Sequence, residues 1–362
     1  ILKTKTICTL YPIMRKRFFS ILQYVFFLGA GIFLVWWQLK SLTPEQKTAF
    51  LEALKEANYW LILPVAVMTV ISHLSRAMRW KLLMEPLNYN PALKNVFAVT
   101  LIGYFANAAF PRLGEILKCT FLARYEKLKV DKLVGTIIVE RAFDMVCFLL
   151  FIGITVIIQL DVVGGFVKKQ FLQLTVTTGI PLWAKLLLIA SVFLAGLILL
   201  KFIFKRFPHN RFILGLKNFL WGILEGFKSI KNLKHRRAFI FHTFLIWTLY
   251  LLEIYVAFYA MKGTAHLSIE AAFSVLTLSA LAMIVTPGGI GSFPIFIKET
   301  LLIYGISSAL GIAFGWLMWG IATGIVIVTG LLALILLPYM NKNKKNEISQ
   351  FDPIEDIQLI SP

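Results

Sequence analysis

Charge is scarce in this chain. Only 15% of its 362 residues are Asp, Glu, Lys or Arg, against about 25% in a soluble domain. Cysteine is nearly missing: Cys8, Cys119 and Cys147 are too few and too scattered for a disulfide framework or a thiolate metal site. There is no G-x-x-x-x-G-K-S/T to grip nucleotide phosphates, no C-x-x-C and no H-E-x-x-H. A D-x-D of the kind that holds a metal beside a nucleotide sugar is also lacking. The longest polar stretch, the basic loop before Ala238, is too short to be a catalytic domain. These absences predict no catalytic residue, no metal and no cofactor.

What is present is apolar sequence, 59% hydrophobic with a mean hydropathy of +0.79. Residues 18–39 carry no charge and are long enough for the ~20 residues a spanning helix needs. They follow Arg15, Lys16 and Arg17, and run on through Trp36 and Trp37 after their only small-residue cluster at 29–31. That pattern predicts a retained anchor rather than a cleaved signal peptide. If Met14 is the start, residues 1–13 are leader without a role. Further apolar segments are 57–75, 95–110, 145–160, 186–200, 238–261, 271–297 and 300–340.

The formal net charge is +19. The basic residues gather between apolar segments, the positive-inside bias of membrane loops, and not in a nucleic-acid-binding face. The N-terminus, 76–94, 118–132, 201–237 and 342–345 are basic and are expected on the cytoplasmic side. The segments 40–56, 161–181 and 262–270 are nearly balanced and are expected outside. With this labelling, 95–110 starts and ends on the same side, so it must dip in and return near Pro111. The segment 271–305 must do the same from the opposite face. The expected fold is an all-α polytopic membrane protein of about six transmembrane helices plus two oppositely oriented re-entrant helical hairpins, both termini cytoplasmic. Its parts are a basic cytoplasmic N-terminus (1–17), a membrane domain (18–340) with hairpins near 95–124 and 271–305, and a polar cytoplasmic tail (341–362). In 205–237, Phe212, Leu216, Phe219, Leu220, Ile223, Phe227 and Ile230 recur at helical spacing with lysines between. This reads as an amphipathic helix, lying either on the anionic inner leaflet or on the protein's own cytoplasmic face. The implied location is the cell membrane.

One apolar run is interrupted where interruption costs most. IVTPGGIGSFP (284–294) sits within charge-free 271–297, yet prolines and glycines break helices. Broken helices at membrane depth persist only where the backbone is buried in protein or lines a wet cavity. A half-helix starting near Ser292 would aim its N–H groups, with the amides of Gly288, Gly289 and Gly291, at an anion. The alternative is a glycine-rich kink for close helix packing. The other turn is Asn107-Ala-Ala-Phe-Pro-Arg-Leu-Gly-Glu115. Pro111 suits the first turn of a second half-helix, with Arg112 and Glu115 on that turn. These two either pair with each other or leave Arg112 to meet a lipid phosphate.

Two more charged groups stand out. Glu140, Arg141 and Asp144 lie at the mouth of the run 145–160, as a charged helix entrance or as a polar network inside a bundle. Glu253 stands alone in 238–261. It is a candidate proton carrier, or a carboxylic acid hydrogen-bonded to a neighbouring helix. Arg76 and Arg79 close the second crossing, as snorkelling anchors or as contacts for a lipid head group.

SRAMRW (75–80), GYFANAAFPRLGEILK (103–118), VERAFD (139–144) and TPGGIGSF (286–293), in that order, resemble the lysylphosphatidylglycerol synthase transmembrane family. The resemblance implies a flippase-like membrane domain handling anionic or aminoacylated lipids. It carries over onto Arg76, Arg79, Asn107, Pro111, Arg112, Gly114, Glu115, Glu140, Arg141, Asp144, Pro287, Gly288, Gly289 and Gly291. Only a short tail follows Met340, with no aminoacyl-transferase domain, as in stand-alone members. The expected activity is binding and translocation of an anionic or aminoacylated phospholipid, or a polyprenyl-phosphate-linked lipid, between leaflets. Arg112, Arg141, Asn107, Gly288, Gly289, Gly291 and Ser292 would hold the lipid phosphate. Glu115, Glu140, Asp144 and Glu253 would balance charge or carry protons. The alternatives are a membrane transferase acting on a lipid-phosphate acceptor, or a non-catalytic subunit partnering a cell-envelope lipid enzyme.

Overall fold

A computed structural model describes residues 28–38, 40–110, 112–159 and 233–342. Every regular element among them is helical. In chain order these are α1 (Leu28–Gln38), α2 (Pro44–Lys55), α3 (Ile62–Met84), α4 (Leu93–Ala109) and α5 (Leu113–Glu126). Then come α6 (Val130–Ile158), α7 (Arg236–Phe258), α8 (Ile269–Val285), α9 (Ser292–Ile303) and α10 (Ser308–Met340). Four stretches are long and apolar enough to cross a membrane: Tyr59–Leu87, Val130–Ile158, Arg236–Phe258 and Ser308–Met340. Their outer faces are oily. Ile138, Leu149 and Leu150 on α6, Phe241 and Phe244 on α7, and Val328, Leu332 and Ile335 on α10 are all exposed, which suits contact with lipid tails.

The count of six crossings takes in 18–39 and 186–200, the first only partly described and the second outside the described residues. The amphipathic segment up to residue 232, the N-terminal 1–17 and the tail from 343 also lie outside them. Three expectations about the described chain change. Helix α6 begins at Val130, so Glu140, Arg141 and Asp144 sit mid-helix and not at its mouth. No proline separates 130 from 145, so nothing stops the helix from extending back toward the basic loop. Helix α3 runs on to Met84, which places Arg76 and Arg79 inside a helix and not at its end. Helix α5 begins at Leu113, with Arg112 as its N-cap, so the first turn starts later than Pro111.

By packing, the chain divides into two compact units, Ile1–Ile137 with Leu233–Pro362, and Ile138–Asn232. The described part of the second is the remainder of α6. In the first, α3 and α7 run antiparallel along their full lengths. Asn58 donates its backbone N–H to Ala260 O at one end (2.7 Å), and His235 meets Glu85 at the other (3.0 Å). Between them, Ser75 Oγ lies 2.9 Å from His242 Nδ1. An apolar core of Ala77, Trp80 and Met84 on α3, Val99 and Ile102 on α4, Leu122 on α5, Leu133 on α6 and Leu337 on α10 ties these helices together.

Helix α10, 33 residues and so roughly 50 Å long, is the spine for two helical hairpins. Its first half carries α9: a side chain on Gly315 would stand 2.7 Å from Pro294 Cα. Its second half carries α4, with Gly330 against Phe105, and Asn341 joined to Asn95 by two amide hydrogen bonds of 2.8 and 3.0 Å. Helix α5 folds back along α4, and α8 along α9. The base of the α4–α5 hairpin therefore lies at one end of α10 and the base of the α8–α9 hairpin at the other.

Candidate functional site

The two hairpin turns meet near the middle of α10. A side chain on Gly288 would stand 3.3 Å from Ala108 O, and Trp319 Nε1 donates to Gly288 O at 2.8 Å. Trp319 is eleven residues past the start of α10, about 16 Å along its axis. For a helix that crosses a bilayer this is close to the midplane.

Each turn is built by specific backbone chemistry. After Ala109 the chain becomes extended at Phe110, and Arg112 takes a left-handed conformation (φ 70°) before α5 starts. Gly114 N–H then donates to Asn107 Oδ1 at 2.8 Å. That bond gives an otherwise unpaired helix N-terminal donor a partner. Asn107 is thus a clasp for the first turn. In the second turn Gly288, Gly289 and Gly291 all have positive φ, between 62° and 74°, which suits glycine and costs other residues. The Thr286 and Ser292 hydroxyls lie 2.7 Å apart, and Ser292 Oγ donates to Ala282 O at 2.8 Å. Gly289 N–H is held by Thr286 O (3.0 Å) and Gly291 O accepts from Gln38 Nε2 of α1 (2.7 Å). Of the donors expected to face an anion, the Gly289 amide and the Ser292 hydroxyl are engaged within the turn. Helix α9 itself has no side-chain cap.

Charged side chains are buried on α3 and α5. On α3, Arg76 is 7% exposed and Arg79 fully buried, so neither snorkels to water. Arg79 Nη1 donates to Thr243 Oγ1 at 3.4 Å, and its guanidinium stands 5.7 Å from the Phe239 ring. Lys118 of α5 is buried with Nζ 3.9 Å from the centre of the Trp80 ring, whose Nε1 donates to Thr136 Oγ1 at 2.8 Å. His73 is buried against the Tyr104 ring, 4.5 Å between centroids. Glu115 occupies the first turn of α5, half-buried. Arg112 is exposed at the first hairpin's tip. Glu253 is half-buried on α7 with Thr69 alongside, and its Oε1 is buried without a hydrogen-bond partner.

The structure brings together Asn107, Arg112, Gly114 and Glu115 on one turn with Gly288, Gly289, Gly291 and Ser292 on the other. Arg76 and Arg79 lie on α3, which packs against α4. Glu140, Arg141 and Asp144 belong to the second unit, where Glu140 is 2% exposed, Asp144 half-buried and Arg141 exposed. Sequence reasoning did not single out Gln38, His73, Tyr104, Lys118 or Trp319. The one readable signal was spacing: His73 falls three residues before Arg76, and Tyr104 three before Asn107, each pair on one helix face. Among the described residues no group of three or more His, Cys, Asp or Glu is placed to hold a metal ion.

Comparison with known proteins agrees with this architecture. A UPF0104 membrane protein of Methanocaldococcus jannaschii is 26% identical over 264 residues, 69% of this chain and 74% of the relative. A second, from Pyrococcus horikoshii, is 24% identical over 302 residues, covering 78% and 86%. A third, from Methanothermobacter thermautotrophicus, is 23% identical over 259 residues, covering 67% and 75%. No solved structure matches the chain. Residues 20–343 match the family described as the lysylphosphatidylglycerol synthase TM region. The protein is an integral membrane member of that family.

Proposed function

We propose that this protein moves a phosphate-bearing lipid, a phospholipid or a polyprenyl-phosphate lipid, between the leaflets of the cell membrane. The observation that carries this reading is the meeting of two broken-helix turns, approached from opposite ends of α10, at Ala108 and Gly288. In this reading both hairpins are re-entrant, with the basic loops and both termini in the cytoplasm.

Helices that stop halfway expose donors and acceptors where lipid offers none, so such a junction suits polar cargo. The same unit holds three buried cations, Arg76, Arg79 and Lys118. A cation costs roughly 2.5–3.5 kcal/mol at the bilayer centre on insertion scales, and in this reading an arriving lipid phosphate adds to the protein partners that offset such a cost. Arg112, exposed at the tip and held in a backbone conformation that costs about 1–2 kcal/mol outside glycine, is positioned to take the phosphate first. Its guanidinium forms paired hydrogen bonds to phosphate that lysine cannot. Glu115, one turn further on, balances the cation when the lipid has left. Arg141, with Glu140 and Asp144, is kept as a candidate lipid contact on the family resemblance of VERAFD (139–144).

The test is movement of fluorescent phosphatidylglycerol across the bilayer of proteoliposomes. Wild type should equilibrate the probe between leaflets faster than protein-free vesicles, and Arg112→Ala should slow it about tenfold, the equivalent of 1.4 kcal/mol. Equal rates for wild type, Arg112→Ala and empty vesicles would exclude this reading.

A further inference from the structure

Two ionisable side chains inside the first unit each keep a buried polar atom without a hydrogen-bond partner. His73 of α3 is 6% exposed, and its Nδ1 has no hydrogen-bond partner. Glu253 of α7 has a buried Oε1 with none either. Thr69, against which Glu253 lies, is one helical turn before His73, so the imidazole and the threonine that Glu253 touches lie on one face of α3. Two buried polar atoms left without partners on adjacent packed helices are uncommon. They belong to the two side-chain types best suited to exchanging protons.

The surroundings limit what else they could serve. On α3 the charged groups nearby are Arg76, one turn past His73, and Arg79, which is turned toward Thr243. Helix α4 contributes the Tyr104 ring against His73. On α7 itself, His242 is engaged by Ser75, and Tyr250 lies beside Trp247. Helix α8 has no charged residue beyond Glu270 in its first turn, and α10 has none at all. On α3 and α7 the imidazole of His73 and the carboxyl of Glu253 each carry a buried polar atom without a hydrogen-bond partner, and Arg76 sets a positive charge beside His73.

We propose that His73 and Glu253 form a proton-binding site within the helix bundle and couple proton movement to lipid movement. A proton taken from water binds either the carboxylate oxygen of Glu253 or the unprotonated ring nitrogen of His73. Passing it between them turns acid plus neutral imidazole into carboxylate plus imidazolium, with no other bond changed. Gaining the proton raises the charge beside Arg76 by one unit and strengthens the pull on an anionic head group, and losing it weakens that pull. The proton site stands on the geometry alone, whereas the coupling rests on the lipid-moving reading above.

Two readouts on the full-length protein, reconstituted with phosphatidylethanolamine and phosphatidylglycerol, separate these claims. Infrared difference spectra across a pH titration should show a carboxylic-acid C=O band that is lost in Glu253→Gln and whose midpoint moves in His73→Asn. Under a gradient of one pH unit, wild-type transport of fluorescent phosphatidylglycerol should change by up to about tenfold per coupled proton. Glu253→Gln should run at the same rate with and without the gradient. A band that survives in Glu253→Gln, a midpoint indifferent to His73→Asn, or an equal gradient response in wild type and Glu253→Gln overturns the proposal. If the band titrates as expected and no probe moves in any sample, the proton site stands and the lipid-moving reading falls. If the probe moves without either dependence, the reverse holds.

Discussion

Replacing Gly114 by alanine tests the first hairpin most sharply. The added methyl would overlap Gly103 O and come within 2.6 Å of Asn107 Cγ. Both are fixed, one by the α4 backbone and the other by its 2.8 Å bond from Gly114 N–H. Relief requires α4 and α5 to separate or Asn107 to turn away. Overpacking of this kind costs about 1–3 kcal/mol, and losing the Asn107 clasp adds about 1 kcal/mol. Alanine returns about 1 kcal/mol as a better helix former, leaving a net loss of about 1–3 kcal/mol. Gly135 is the internal control: it lies mid-helix in α6 with nothing within 4 Å of an added methyl. The same substitution there should stabilise by about 1 kcal/mol. Unfolding of the purified variants by denaturant titration in detergent micelles measures both. If Gly114→Ala is as stable as wild type, the close α4–α5 contact is not present in the protein.

Three further outcomes follow from the turns. Arg112→Gly should raise stability by about 1 kcal/mol by relieving the left-handed backbone, while slowing probe-lipid movement as Arg112→Ala does, a split that a purely structural arginine would not give. Trp319→Phe removes the donor to Gly288 O and should cost about 1 kcal/mol in denaturant titration by leaving a half-buried carbonyl without that partner. Asn95→Ala takes away the amide pair with Asn341 and a 2.6 Å bond to Glu126 Oε1. Hydrogen exchange at residues 93–97 should rise relative to α3, whose anchors are untouched.

The parts of the fold readable from sequence are those governed by hydrophobic length and by breakers. Charge-free runs marked the long helices, and Pro287 with its glycines marked the break between α8 and α9. The exact register of charges was harder to read. The cluster at 140–144 could be read as a charged helix entrance or as a polar network inside a bundle, because the apolar run begins after it; α6 starts ten residues earlier and carries it through. Arg76 and Arg79 looked like interfacial anchors for the same reason, although α3 continues past both and buries them. Partners from distant sequence were not readable at all. Nothing near residue 38 announces that Gln38 will hold Gly291 O, 253 residues away. A lone histidine in an apolar helix gives no sign that Tyr104 will stack on it. Those pairings are set by how helices pack, and hydropathy is silent on packing.

The account turns on two hairpins entering the membrane from opposite faces. Sided labelling tests this directly, using single cysteines introduced at Lys94 and Ser307, both exposed at the two hairpin bases, in a background lacking Cys8, Cys119 and Cys147. A membrane-impermeant maleimide should reach position 94 only from the cytoplasmic side and position 307 only from the opposite side. Labelling of both positions from one and the same side would contradict the account.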